Sequence, residues 1–326
     1  MSLLEVKNLE VKYITDLETV HAVNHVSFAV DRGETLGLVG ETGAGKTTMA
    51  LSILRLLPEF VGQITDGEIL FDGEDVRKKN KRELQSLRAK DISMIFQDPM
   101  TSLNPVMRIG NQIAEAADWH ASKQLSKAEK AEIVDTMLRQ VGIPPERKND
   151  YPHQFSGGMK QRVVIAIALV SKPQLLIADE PTTALDVTIQ AQVLHLMRKL
   201  KREMGMAMIM ITHDLGIVAL TCDKVGVVYA GEIVEYASCR DLFAATRKHP
   251  YTEGLFNSIP TISGDSDRLQ PIQGQMPDPS NLPDGCKFHP RCPYCTEKCR
   301  TEVPTYTDVG GGHLILCHRI GGELDV

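Results

Sequence analysis

At 326 residues the chain has room for about two domains, taking roughly 150 residues for each. Hydrophobic content of 42% and charged content of 24% are ordinary for a globular protein, and a net charge of −6 offers no basic field for nucleic acid. The longest clean apolar run, Val163 to Val170, is far short of the ~20 residues that span a bilayer, so any membrane role has to come through partners. The opening residues carry Glu5, Lys7 and Glu10 where a secretory signal needs an apolar core, and the chain reads as cytosolic.

No internal repeat is visible. Short apolar runs alternate with longer amphipathic stretches over the first ~260 residues, the pattern of a mostly parallel sheet with helices around it. The first such run, Thr35–Val39, leads into Gly40 through Thr47 (GETGAGKT), a full match to the P-loop pattern, and a helical stretch from Thr48 to Leu57 leaves it. Gly40, Gly43 and Gly45 let the backbone wrap so that its N–H groups face phosphate oxygens, and the helix N-terminus adds positive potential. Lys46 is placed to reach the β- and γ-phosphates of a nucleotide, and the Thr47 hydroxyl to ligate Mg²⁺.

A second strand, Ile92–Phe96, ends on Gln97, whose amide could touch Mg²⁺ or water. From Asp98 to Phe155 the pattern turns helical, as in Lys127–Val141 with apolar Ile133, Val134, Met137, Leu138 and Val141, and reads as an insertion between two sheet strands. Phe155 through Met159 (FSGGM) then precedes a helical run from Lys160 to Ser171 and offers a second glycine-rich helix N-terminus. One phosphate chain does not need two such cradles, so the second serves another molecule.

The strand Leu175–Ala178 runs into Asp179 and Glu180. Asp179 suits the Mg²⁺ shell, and a carboxylate at Glu180, at the carboxyl end of a strand, can polarise the water that attacks a γ-phosphate. His213 follows the strand Ala207–Ile211, and a further strand spans Val225–Tyr229. Taken alone, His213 and Gln97 read as polar residues at strand ends.

Residues 260–285 are rich in Pro, Gly, Ser and Asp, a linker composition. Beyond them Cys286, Cys292, Cys295, Cys299 and Cys317 crowd the tail, whereas Cys222 and Cys239 stand apart. In a cytosolic chain that clustering points to a metal more than to disulfides. Four thiolates suit zinc or an iron–sulfur cluster equally, and bare spacing selects Cys292, Cys295 and Cys299 with one distant fourth ligand.

Taken together, the P-loop, Gln97, the Ser-Gly-Gly motif, Asp179-Glu180, Ala184-Leu185-Asp186 and His213 occur in the order and spacing of ABC ATPases, which this chain resembles. The form FSGGM departs from the commoner LSGGQ and looks like that of the peptide-permease subfamily. The resemblance implies an α/β P-loop NTPase cassette, a RecA-like core sheet plus a helical subdomain at about residues 98–160, occupying 1–260 and followed by a cysteine-rich extension over 261–326. It implies ATP and Mg²⁺ as ligands, with Tyr13 stacking on adenine, Thr47 and Thr48 at the phosphates, and Gln97, Glu180 and His213 serving hydrolysis. It further implies that two cassettes close head to tail, so that Ser156, Gly157 and Gly158 clamp the nucleotide on the partner's P-loop while Asp186 couples the two sites.

His249 through Thr252, the segment Gly285 to Pro293, and Cys299 and Cys317 with His318 look like the C-terminal extension of oligopeptide and dipeptide permease ATPases. There the recurring cysteines correspond to Cys286, Cys292, Cys299 and Cys317, some members carry a [4Fe–4S] cluster, and Cys295 falls outside the set. The expected partners are a second, non-identical ABC ATPase subunit, two transmembrane permease subunits and an extracytoplasmic binding protein, with the chain on the cytoplasmic face of the membrane and no nucleic acid involved. Peptides are the first-ranked cargo. The alternatives are an importer ATPase for nickel or oligosaccharides, or a soluble ABC ATPase.

Overall fold

The computed structural model describes residues 2–120, 125–183, 185–258 and 271–321. In chain order the elements are β1 (Ser2–Ile14), β2 (Thr19–Asp31), β3 (Thr35–Val39), α1 (Lys46–Ile53), β4 (Gly62–Phe71), β5 (Glu74–Asp75), α2 (Lys81–Lys90) and β6 (Ile92–Ile95). Next come α3 (Pro99–Ser102), α4 (Ile109–His120), α5 (Lys127–Gln140), α6 (Gly157–Leu169), β7 (Leu175–Asp179), α7 (Val187–Met204), β8 (Ala207–Thr212) and α8 (Leu215–Thr221). The chain continues through β9 (Lys224–Tyr229), β10 (Glu232–Ser238), α9 (Cys239–Ala244), α10 (Pro250–Asn257), α11 (Glu297–Thr301), β11 (Tyr306–Asp308), β12 (Leu314–Leu316) and α12 (His318–Gly321). None of the described helices is long and apolar enough to cross a membrane.

The chain forms two compact units, the first comprising chiefly Asp75–Ile211. Here β6, β7 and β8 run parallel in the order β8-β7-β6, and the register sets Ile95 beside Ala178 and Ala178 beside Met210. All five residues of β7 are buried, as a central parallel strand requires, which is why its sequence shows no alternation. Between β6 and β7 the described chain forms helices α3 to α6. Helix α5 opens on a capping box between Ser126 and Glu129 and buries Val134, Met137 and Leu138 on one face.

The second unit comprises Leu4–Ala29, Leu36–Glu74 and the chain from Thr212 onward. It holds an antiparallel sheet in the order β2-β1-β4-β5, and a second group in the order β11-β12-β10-β9-β3. Only β3 with β9 is parallel in that group; the rest pair antiparallel. The long β1 is irregular in its pairing with β4, with register shifts near Lys7 and Glu10.

Three boundaries differ from expectation for local reasons. The strand β6 stops at Ile95, leaving Phe96 outside it and half exposed. Helix α1 ends at Ile53, short of Leu57, because Arg55 takes a left-handed backbone (φ 50°) ahead of Pro58. Helix α6 begins at Gly157, earlier than expected, since Ser156 caps it.

The linker reading of 260–285 is corrected in its described part. Ile272, Met276 and Leu282 pack against a buried core built around Tyr229, Tyr251 and Phe288. The three rings are mutually in contact, with centroids 4.6 to 5.5 Å apart, a geometry that adds ~1 kcal/mol per pair beyond burial. Proline and glycine here shape an irregular strap, not a free tether. The tail goes on to add strands to the sheet group: β12 pairs with β10, and β11 with β12.

Candidate functional site

The phosphate loop belongs to the second unit. It joins the wholly buried β3 to α1, and Gly45, in the N-cap position, has φ 102°. A Cβ at Gly45 would stand 2.4 Å from the Ala22 carbonyl oxygen, so both the backbone angle and the space exclude any side chain. The Gly231 N–H, in the β9–β10 turn, donates to the Ala44 carbonyl at 2.9 Å and ties the loop to that hairpin. Lys46 is almost fully buried, and its ammonium donates to the carbonyls of Gly40 (2.7 Å) and Glu41 (2.8 Å). A cation is thereby held inside the curve of a loop whose N–H groups are directed to anions. Tyr13, at the end of β1, hydrogen-bonds through its hydroxyl to Thr48 at 3.2 Å. The same unit carries His213, exposed immediately after β8, with Asp214 capping α8 behind it.

The carboxylates sit in the first unit. Asp179 ends β7 nearly fully buried. Glu180 follows with φ 45°, a left-handed backbone that costs an ordinary side chain ~1–3 kcal/mol and clusters at working sites. Its N–H donates to the Ile211 carbonyl at 2.9 Å, and its carboxylate accepts from the Gln97 amide (3.1 Å) and the Thr183 hydroxyl (3.0 Å). Gln97 and Glu180 meet because β6 and β7 are parallel neighbours in register, and both residues leave the carboxyl ends of their strands.

The glycine-rich helix start is also in this unit. The Ser156 hydroxyl accepts from the Met159 N–H at 3.4 Å. A Cβ on Gly158 would come within 2.4 Å of the Ile189 side chain on α7, so the motif's glycine serves helix packing as well as an open N-terminus. Asp186 caps α7 by accepting from the Ile189 N–H at 2.9 Å. Ala184, of the triplet ahead of α7, lies outside the described residues.

Three residues of these surroundings escaped the sequence reading. Arg147 lies 4.3 Å above the Phe155 ring, donates to the Met159 sulfur (3.5 Å), the Gln154 carbonyl (2.9 Å) and Asp150 (2.7 Å), and so braces both non-consensus ends of FSGGM. Tyr251 and Arg291 both reach Glu41 of the phosphate loop. Nothing in their local sequence signals those partners.

In the tail, Cys286, Cys292, Cys299 and Cys317 line one cavity with mostly apolar walls, beside Phe288 and His249. Cys295 does not line it, and its thiol is directed to the Thr296 carbonyl at 3.5 Å. Burial pushes the Cys286 thiol up to about 12 and the Cys292 thiol up to about 11, and raises that of Cys317. Among the described residues no group of three or more His, Cys, Asp or Glu is placed to hold a metal ion.

Comparison with known proteins agrees with this geometry. Residues 23–183 match the ABC transporter family, and residues 234–299 match the oligopeptide/dipeptide transporter C-terminal region. The oligopeptide transport ATP-binding protein OppD of Salmonella typhimurium is 50% identical over 324 residues, covering 99% of this chain and 95% of the relative. The oligopeptide transport ATP-binding protein AppD of Bacillus subtilis is 46% identical over 318 residues, covering 97% and 96%. A solved dimeric ATP-binding cassette, in a post-hydrolysis state with ADP and Pi, superposes with a TM-score of 0.65 at 26% identity, covering 73% of this chain and 99% of that one. The buried lysine inside a phosphate loop, the strained glutamate after a buried strand, and likeness along nearly the whole length lead to one conclusion: this chain is an ATPase that belongs to the ABC transporter family, among the ATP-binding proteins that carry the oligopeptide/dipeptide transporter C-terminal region.

Proposed function

We propose that the chain powers uptake of dipeptides or oligopeptides from the cytoplasmic face of the membrane, working with a second, non-identical cassette, two permease subunits and an extracytoplasmic binding protein. In this reading Lys46 draws the β- and γ-phosphates, while Thr47, Gln97 and Asp179 hold Mg²⁺. Glu180 polarises the attacking water, His213 assists at the γ-phosphate, and Tyr13 stacks on adenine. Phosphoryl transfer asks the protein mainly for positioned charge and a positioned water, and these residue types supply both. The observation that carries the reading is Glu180: a carboxylate kept in a strained backbone and gripped by Gln97 and Thr183 is oriented at a cost that folding alone does not reward. Its test is purification of the tagged chain from its native membranes. Two integral-membrane subunits and a related cassette are expected to accompany it, and peptide-loaded binding protein is expected to raise ATP turnover. Stimulation by a nickel chelate or an oligosaccharide, and not by peptides, would transfer the assignment to that cargo.

Ser156, Gly157 and Gly158 would act on the nucleotide of the second cassette, with Asp186 coupling the two sites. Arg147→Ala removes the brace on Phe155 and Met159. It is expected to lower ATP turnover ~10-fold while leaving nucleotide affinity of the isolated chain unchanged, as read by steady-state hydrolysis beside titration calorimetry.

The four cavity cysteines would hold a [4Fe–4S] cluster. Their fit rests on the donor set. Four cysteines line one largely apolar cavity, and Cys295 does not, its thiol meeting the Thr296 carbonyl instead. When bound, the group supplies a covalent staple for the tail. Anaerobic purification is expected to yield a brown protein with iron and sulfide, lost in Cys286→Ser and kept in Cys295→Ser; stoichiometric zinc without iron would refute it.

A further inference from the structure

Glu41, the second residue of the phosphate loop, is gripped from outside the loop by groups more than two hundred positions away. Its N–H donates to the Tyr251 hydroxyl at 2.9 Å, and Tyr251 is fully buried in the first turn of α10. Its carboxylate accepts from the Arg291 guanidinium at 3.1 Å, and the Arg291 side chain is only 5% exposed. Arg291 is itself fixed in place. It donates to the Gln273 carbonyl (3.0 Å) and the Ile272 carbonyl (3.5 Å), and its guanidinium carbon lies 5.8 Å from the centre of the Tyr229 ring. A third contact comes from Met276, whose methyl lies 3.2 Å from where a Cβ on Gly43 would stand. The strap is anchored on the other side by the His21 N–H, which donates to the Pro279 carbonyl at 2.8 Å.

The Tyr251 and Arg291 contacts converge on one residue, Glu41. The Glu41 carbonyl is an acceptor for the Lys46 ammonium at 2.8 Å, so whatever orients Glu41 also orients the loop's buried cation. An arginine cannot shed its charge, and a buried one left without its carboxylate is strongly penalised, so the Arg291–Glu41 pair resists opening. A loop held in its working shape before the ligand arrives binds more tightly, since ordering does not have to be supplied at that step.

We propose that the C-terminal region is a component of the nucleotide site: Arg291 of the extension and Tyr251 of α10 just ahead of it are positioning residues that pre-form the phosphate loop through Glu41. This rests on the ATP-binding reading of that loop. It follows by linkage that nucleotide binding tightens the extension to the same degree that the extension tightens nucleotide.

The test is titration calorimetry of a non-hydrolysable ATP analogue with Mg²⁺ on the full chain, alongside steady-state hydrolysis. Arg291→Ala is expected to weaken binding by about tenfold and to raise KM more than it lowers kcat, with Arg291→Lys recovering part of the loss. Glu41→Ala is expected to weaken binding as well, and the double variant Arg291→Ala/Glu41→Ala to be no worse than the more damaged single. Affinity unchanged in Arg291→Ala, or losses that multiply in the double variant, would overturn the proposal. Should Arg291→Ala fail to fold, Tyr251→Phe keeps the ring and removes only the hydroxyl acceptor, while Glu41→Ala alters a solvent-accessible side chain; unchanged affinity in both overturns it equally. A wild-type chain that binds no nucleotide would instead refute the ATP-binding reading on which this one stands.

Discussion

Glu180→Gln is expected to bind ATP with wild-type affinity and to lose at least ~100-fold in turnover, the range set by removal of a positioned general base. The substitution keeps size and shape, and the amide oxygen can still accept from Gln97 or Thr183, so the local structure is retained. What disappears is the negative charge that a water must meet to be activated. Equilibrium binding of labelled ATP, set against single-turnover phosphate release, separates the two effects. Near-normal hydrolysis would remove Glu180 from the chemistry. The backbone supplies a second check. At φ 45° a glycine is unstrained where glutamate is not, so Glu180→Gly is expected to be equally inactive yet no less stable, and up to ~1 kcal/mol more stable in urea unfolding. A residue present only for the fold would show the reverse.

The largest expected stability loss lies elsewhere, at Glu235. This residue is at the middle of β10, fully buried, opposite Val227 of β9 and Ile315 of β12. One carboxylate oxygen accepts from the His249 N–H at 2.9 Å, and the other pairs with His313 Nε2 at 2.7 Å. Both histidines are nearly fully buried, and burial depresses His249 to about 3, so its ring is neutral and its Nδ1 accepts from the Tyr251 N–H at 3.1 Å. Glu235→Ala leaves two buried donors without partners, each costing ~1–3 kcal/mol, and opens a void between two strands. The expected loss is about 3–5 kcal/mol, the range for breaking a buried polar pair from one side, read as a fall in the urea midpoint at constant slope. Glu235→Gln should lose less, since the amide can still serve one histidine. A change under about 0.5 kcal/mol in the alanine variant, the size of a neutral surface substitution, would show that water replaces the carboxylate.

The nucleotide machinery is legible along the chain because each piece is local. The loop takes a left-handed backbone at Gly43 and Gly45, and a carbonyl stands where a Gly45 side chain would be, so its glycines answer to local geometry. Asp179 and Glu180 follow from an unbroken apolar strand, whereas Ser156 and Asp186 are marked by short motifs that resemble the family's, and the structure shows both as helix caps. Such patterns depend on neighbours within a turn or a strand, so residue order carries them.

What folding adds is contact between distant residues, where order carries almost no signal. Arg291 meets Glu41 across 250 positions and His313 meets Glu235 across 78, and nothing beside Arg147 marks it as the brace of FSGGM. The strap from 271 onward looked like a tether because composition reports the turns it makes, not the core that Ile272, Met276 and Leu282 enter. The cysteines show both sides of this division. Spacing favoured a trio that includes Cys295; the folded tail turns that thiol away and brings Cys317 to the same cavity as Cys286, Cys292 and Cys299. Which groups share a small volume is decided by sheet pairing and core packing, and these act through space without regard to distance along the chain.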